Sequence, residues 1–154
     1  MKKRRTWLII ALFWSGFIFY NSLMPASVSS SQSGLIRDLI YPIITKVGIP
    51  IELPDLEFII RKLAHFFVFF VFSILWFIYF MCSFSSKKTI KHVIGLGLLQ
   101  AIIDETIQLF VDGRSGEVRD VLIDFSGVLF GLLFSLIIRL LFKGINTRQL
   151  LSKK

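Results

Sequence analysis

A single cysteine among 154 residues excludes an internal disulfide. Cys82 has no neighbouring Cys or His at metal-ligand spacing, so it reads as a small apolar filler. Signatures of the established catalytic classes are also missing: the chain holds no HExxH, no GxSxG and no phosphatase-like PSGH motif. No internal repeat occurs, and the only low-complexity stretch is the serine run in PASVSSSQSG. Carboxylates are scarce, ten against eighteen lysines and arginines, giving a net charge of +8. The basic residues gather between apolar runs and at both termini instead of along one face. That pattern argues against nucleic acid and for a membrane surface.

What the chain has in abundance is apolar surface. It is 55% hydrophobic and 15% aromatic, with 17 phenylalanines, more than one small soluble core can bury. A bilayer core about 30 Å thick takes about 20 mainly apolar residues, and four runs approach that length, roughly 6–24, 56–82, 90–111 and 118–142. The expected fold is therefore an all-α, integral-membrane four-helix bundle forming one domain over residues 1–154. MKKRR before the first run resembles the start of a signal peptide, but the run is long and lacks a clear A-x-A cleavage site.

Basic residues near span ends are retained in the cytoplasm. MKKRR, SFSSKKTIKH and KGINTRQLLSKK are the rich segments, so both termini are expected inside, with residues 25–55 and 112–117 outside. In the first outer connection PASVSSSQSG reads as a flexible turn region. LIRDLIYPIITKVGI reads as a short helix broken at Pro42 that lies on the outer interface or caps the bundle. Asp55, after Pro54, is the expected N-cap of the second span.

The informative feature is charge placed inside grease. RKLAH opens the second span, DETIQ closes the third and RDVLID opens the fourth. Arg61 and His65, Asp104 and Gln108, and Asp120 and Asp124 are each four apart and share a helix face. On this topology His65, Asp104 and Asp124 lie on the order of 10 Å below the outer boundary. A charge in hydrocarbon costs roughly 2.5–3.5 kcal/mol on insertion scales, so these residues are expected to turn inward. Arg61, Lys62 and His65 are expected to pair with Asp104, Glu105, Asp120 and Asp124 around a hydrated pocket open to the outside. Asp120, Asp124, Gly127 and Gly131 form one stripe, and GVLFG is a GxxxG pattern suited to close helix packing. Gly113 and Gly116 permit a tight hairpin, whose Arg114 is placed to hold a lipid phosphate or close over the pocket.

RKLAHF, DETIQLF and GRSGEVRDVLIDFSGVLFG, in this order, resemble the VanZ-like family of small bacterial membrane proteins. Asn21, Ser22 and Pro25 also look like that family's first block, so the resemblance covers essentially the whole chain. It implies polar positions at Arg61, Lys62, His65, Asp104, Glu105, Gln108, Arg114, Asp120 and Asp124, and a cell-envelope role. The family is named for a protein associated with reduced susceptibility to teicoplanin, so antibiotic resistance is implied more remotely, and no reaction is implied.

Three function classes fit these residues. In a binder or accessory protein, Arg61, Lys62, Gln108, Arg114, Asp120 and Asp124 contact an envelope lipid, a lipid-linked cell-wall precursor or a glycopeptide-type antibiotic. In a membrane-embedded hydrolase or transferase acting on such a lipid, His65, Glu105 and Asp104 supply the acid and base, with the basic residues as anion clamps. A divalent cation, if any, falls to Asp104, Asp120 and Asp124, because hard cations take carboxylate oxygens. In a structural scaffold the charges only pair to set helix packing.

Overall fold

The structure, a computed structural model, describes residues 2–151, with side chains described through Lys143, so the basic tail beyond it lies outside the described residues. Five helices make up the described chain: α1 (Lys2–Ser22), α2 (Ala26–Lys46), α3 (Leu53–Met81), α4 (Ser86–Gln108) and α5 (Val118–Leu151), with no strand among the described residues. The protein is all-α. The four apolar runs correspond to α1, α3, α4 and α5.

Two local expectations are corrected. The serine run is not a flexible turn but the first half of α2, and Pro42 lies inside that helix without ending it. Tertiary contacts explain this. Ser33 and Gly34 are the buried residues of α2, small enough to let it sit on α3, and Ser33 Oγ bonds back to the Ser29 carbonyl at 3.1 Å. Glu57 of α3 then accepts from Ser33 at 3.3 Å and from Arg37 at 2.5 Å. At α3 the N-cap position is Glu52, with no side-chain cap bond, and Asp55 sits one turn inside. Pro54 accounts for the earlier start, since its missing N–H costs nothing in a first turn.

α3 is the hub, packing on all four other helices. It lies parallel to α5, and the glycine stripe of α5 makes that contact close. A Cβ at Gly127 would stand 2.3 Å from the Phe66 carbonyl oxygen, and one at Gly131 2.4 Å from that of Phe70. α1 and α4 run antiparallel to this pair. Trp14 Nε1 donates to the Val68 carbonyl at 2.9 Å, and Trp76 Nε1 donates to Ser15 Oγ at 3.2 Å. Gly97 of α4 gives way to Val128, whose Cγ1 would be 2.5 Å from an added Cβ. Phe69, Phe72, Val93 and Val128 fill the interior with almost no exposure.

Outside that core the surface is apolar, with Phe13 75% and Phe110 85% exposed, which suits lipid and not water. By length and composition, two helices qualify to cross a membrane, Leu53–Met81 and Val118–Lys143. α1 qualifies only together with α2, from which it is bent by 106°, so the count rises to three if that pair is one span. α4 does not qualify because charge sits at both of its ends, Lys87, Lys88 and Lys91 near its start and the buried Asp104 and Glu105 near its finish.

Candidate functional site

The helix directions bring the polar segments to one end of the bundle. α1 ends there at Asn21 and Ser22, α3 begins there, α4 ends there at Gln108, and α5 starts there after the 109–117 connection. Because α3 and α5 are parallel, positions 62 and 120, and again 65 and 124, come level. Lys62 Nζ reaches both oxygens of Asp120, at 2.5 and 2.6 Å. His65 Nδ1 lies 3.2 Å from Asp124 Oδ1.

The remaining expected pairs do not form. Asp104 accepts from Ser22 Oγ and from Gln108 Nε2, the latter at 3.0 Å. Glu105 accepts from Gln108 Nε2 at 2.9 Å and from the Glu117 backbone N–H at 3.0 Å. Neither carboxylate meets a lysine or arginine, because the helix faces of α4 look toward α1 and the hairpin instead of toward Arg61. Asp124 Oδ2 is buried and has no hydrogen-bond partner.

The hairpin folds back onto the bundle. Gly113 adopts φ +73°, a conformation glycine takes without strain, and Gly116 sits so close that a Cβ would be 2.4 Å from the Glu105 carbonyl oxygen. Arg114 is thereby directed inward. Its Nε donates to the Met24 carbonyl at 2.7 Å, Nη2 to the Asn21 carbonyl at 3.1 Å and Nη1 to Gln108 Oε1 at 3.2 Å. It is a wall of the pocket and a clamp on the end of α1, not a solvated tip. Burial pulls its pKa below the ordinary guanidinium value; nearby Asp104 opposes that, and the like charge of Arg61 adds to it. It stays protonated throughout the physiological range.

Arg61 is the exception to the pairing. Among the described residues it makes no hydrogen bond or ion pair, only a contact of its guanidinium carbon 6.0 Å from the Phe58 ring centroid. It opens onto a cavity of about 240 Å³. The polar wall of that cavity includes Asn21, Ser22, Arg61, His65, Asp104, Gln108 and Arg114, with Ser29, Gln32 and Ser33 of α2, and its apolar wall includes Phe17, Ile36, Ile60, Val68 and Phe69. A second cavity of about 70 Å³ shares Arg61, His65 and Arg114 and adds Lys62, Glu117 and Asp120. All nine sequence-derived polar residues thus lie in or beside one pocket region.

The expected carboxylate set for a cation changes. Asp120 is occupied by Lys62, whereas His65, Asp104, Glu105 and Asp124 each offer one ligand atom within 4.8 Å of the others. Sequence reasoning gave no role to Ser22 as the partner of Asp104, although Asn21 and Ser22 are the polar pair that closes an apolar run. It missed Glu57, whose signal was a carboxylate beside an apolar span, with Arg37 as its partner across a sequence gap that no spacing rule reveals.

A family model described as VanZ/LLP1 matches residues 7–139, which include every pocket residue named above. No curated protein and no solved structure matches the chain.

Proposed function

Since the chain belongs to the VanZ/LLP1 family, we propose that it is a multi-pass cell-envelope membrane protein whose pocket binds the phosphate-bearing head group of an envelope lipid or lipid-linked cell-wall precursor. The observation that carries this reading is Arg61. A guanidinium without a carboxylate, beside Arg114 in a cavity that is polar on one wall and apolar on the other, matches an amphiphile with an anionic head and a hydrocarbon tail. In this reading α1, α3, α4 and α5 are the spans, α2 lies on the outer interface and the pocket faces outward, which the positive-inside bias supports. The basic N-terminus and the Lys87, Lys88 and Lys91 cluster then lie at the opposite, cytoplasmic end.

The test is mass spectrometry of lipid retained by protein purified in mild detergent. Wild-type protein is expected to retain a phosphate-bearing lipid. Arg61→Ala is expected to retain about tenfold less or lower still, the loss of one or two charge-assisted hydrogen bonds. Equal retention by folded Arg61→Ala would refute the reading. The His65–Asp124 pair at 3.2 Å on the pocket wall favours a second reading, a membrane-embedded hydrolase or transferase in which His65, Glu105 and Asp104 move protons. In that case the same spectra show a new lipid product that grows with incubation and disappears in His65→Ala.

A further inference from the structure

The acidic side of the pocket holds more negative charge than its surroundings neutralise. Asp104, Glu105 and Asp124 are 2%, 4% and 0% exposed. Lys62 is committed to Asp120, and Arg114 directs its three hydrogen bonds to two carbonyls and Gln108, none of them to a carboxylate. Arg61 touches no carboxylate. Apart from His65, then, no cationic side chain among the described residues bonds to these three buried carboxylates. Burial of unpaired carboxylates costs several kcal/mol each, so such a cluster either takes up protons or binds a cation.

We propose that His65, Asp104, Glu105 and Asp124 bind one divalent first-row transition cation of the Mn²⁺ or Zn²⁺ class. Their four ligand atoms already lie within 4.8 Å of one another. Around a six-coordinate ion, opposite donors about 2.1 Å from it stand about 4.2 Å apart, and around a tetrahedral ion all donors stand about 3.4 Å apart, so the widest pair closes by up to about 0.6 Å in the first case and about 1.4 Å in the second, within reach of side-chain rotation. The second, independent sign is Asp124 Oδ2, fully buried and unbonded, a lone pair kept without a partner in the interior. The donor set selects the ion. Three carboxylates alone suit Mg²⁺ or Ca²⁺, while an added imidazole shifts preference to Mn²⁺ or Zn²⁺. Ser22 and Gln108, bonded to Asp104 and Glu105, orient those ligands as outer partners do in metal sites. His65 ligates as neutral imidazole and surrenders any bound proton on loading. The bound ion brings positive charge into a pocket that already holds two guanidiniums.

The test uses the full chain, purified with a chelator and titrated calorimetrically with MnCl₂ or ZnCl₂ alone. One ion per chain is expected, with at least about tenfold weaker binding in Asp124→Asn and His65→Ala and no change in Asp55→Asn. The ion is expected to raise the thermal unfolding midpoint of the wild type and not that of Asp124→Asn. Should these variants not fold, electron spin echo modulation of Mn²⁺ on the wild type decides the matter, through the nitrogen coupling of one imidazole. Absence of a stoichiometric ion, absence of that coupling, or unchanged affinity in folded variants overturns the proposal. Because the probe is the ion and not a lipid, wild-type protein that retains its lipid yet binds neither ion refutes this inference alone.

Discussion

Lys62 and Asp120 show what a single residue contributes in this setting. Their side chains are 13% and 9% exposed, so removing either leaves a charge buried without its partner. Lys62→Ala is expected to destabilise the protein by about 3–5 kcal/mol, read as a lowered midpoint in chemical denaturation in detergent. Replacing both residues by leucine is expected to restore most of that loss, because a well-packed apolar pair is close to neutral against a buried ion pair. If the double variant is no more stable than Lys62→Ala, the pair is not the isolated unit the geometry describes. The sequence offered Arg61 and Lys62 alike as partners for Asp104, Glu105, Asp120 and Asp124. It did not separate Lys62 from Arg61, one position along the helix and on a different face, which makes no ion pair among the described residues.

At the scale of elements, the fold turns on how the α4–α5 hairpin is tied to the end of α1. Arg114 makes three hydrogen bonds there, two to backbone carbonyls of Asn21 and Met24 and one to Gln108, and the Ala26 backbone N–H adds a bond to the Asp112 carbonyl at 3.2 Å. Arg114→Ala is expected to raise amide hydrogen exchange in residues 109–117 and at the start of α2 by about tenfold, while the midsections of α3 and α5 keep their protection. Exchange unchanged in the hairpin would mean that backbone packing, not Arg114, closes it. The helix periodicity of α3 and α5 was legible because their apolar stripes are long and their glycines regular. Of α2 only the second half, the stripe from Leu35 onward, was legible, because serine is a poor helix former in isolation and Pro42 signals a break. Both are overruled by Ser33 and Arg37 docking on Glu57, contacts 24 and 20 residues apart in sequence.

For the whole molecule the decisive property is orientation. Basic segments at α1 and between α3 and α4 lie at one end and the pocket at the other, so the positive-inside bias predicts a pocket that faces out. Ser115 is exposed at the hairpin. A Ser115→Cys variant in a Cys82→Ser background is expected to be labelled by an impermeant maleimide added to intact cells, and protection until lysis would invert the topology. The exposed phenylalanines and leucines around the bundle make detergent or lipid a condition of every measurement above.

The sequence by itself determined that the chain is helical, that its apolar runs suit a membrane, and that the ionisable residues of RKLAH, DETIQ and RDVLID collect near one end. Those properties rest on composition, periodicity and span length, which are local quantities. Only the tertiary structure decided which charge meets which. It assigned Asp120 to Lys62, turned Asp104 toward Ser22, brought Arg114 inward, and left Arg61 and Asp124 Oδ2 without a hydrogen-bond partner among the described residues. The rotation of each helix about its axis is set by packing, by Gly127 and Gly131 against α3 and by Gly97 against Val128. One residue step, about 100° around the helix, separates Lys62 in its ion pair from Arg61 at the open cavity.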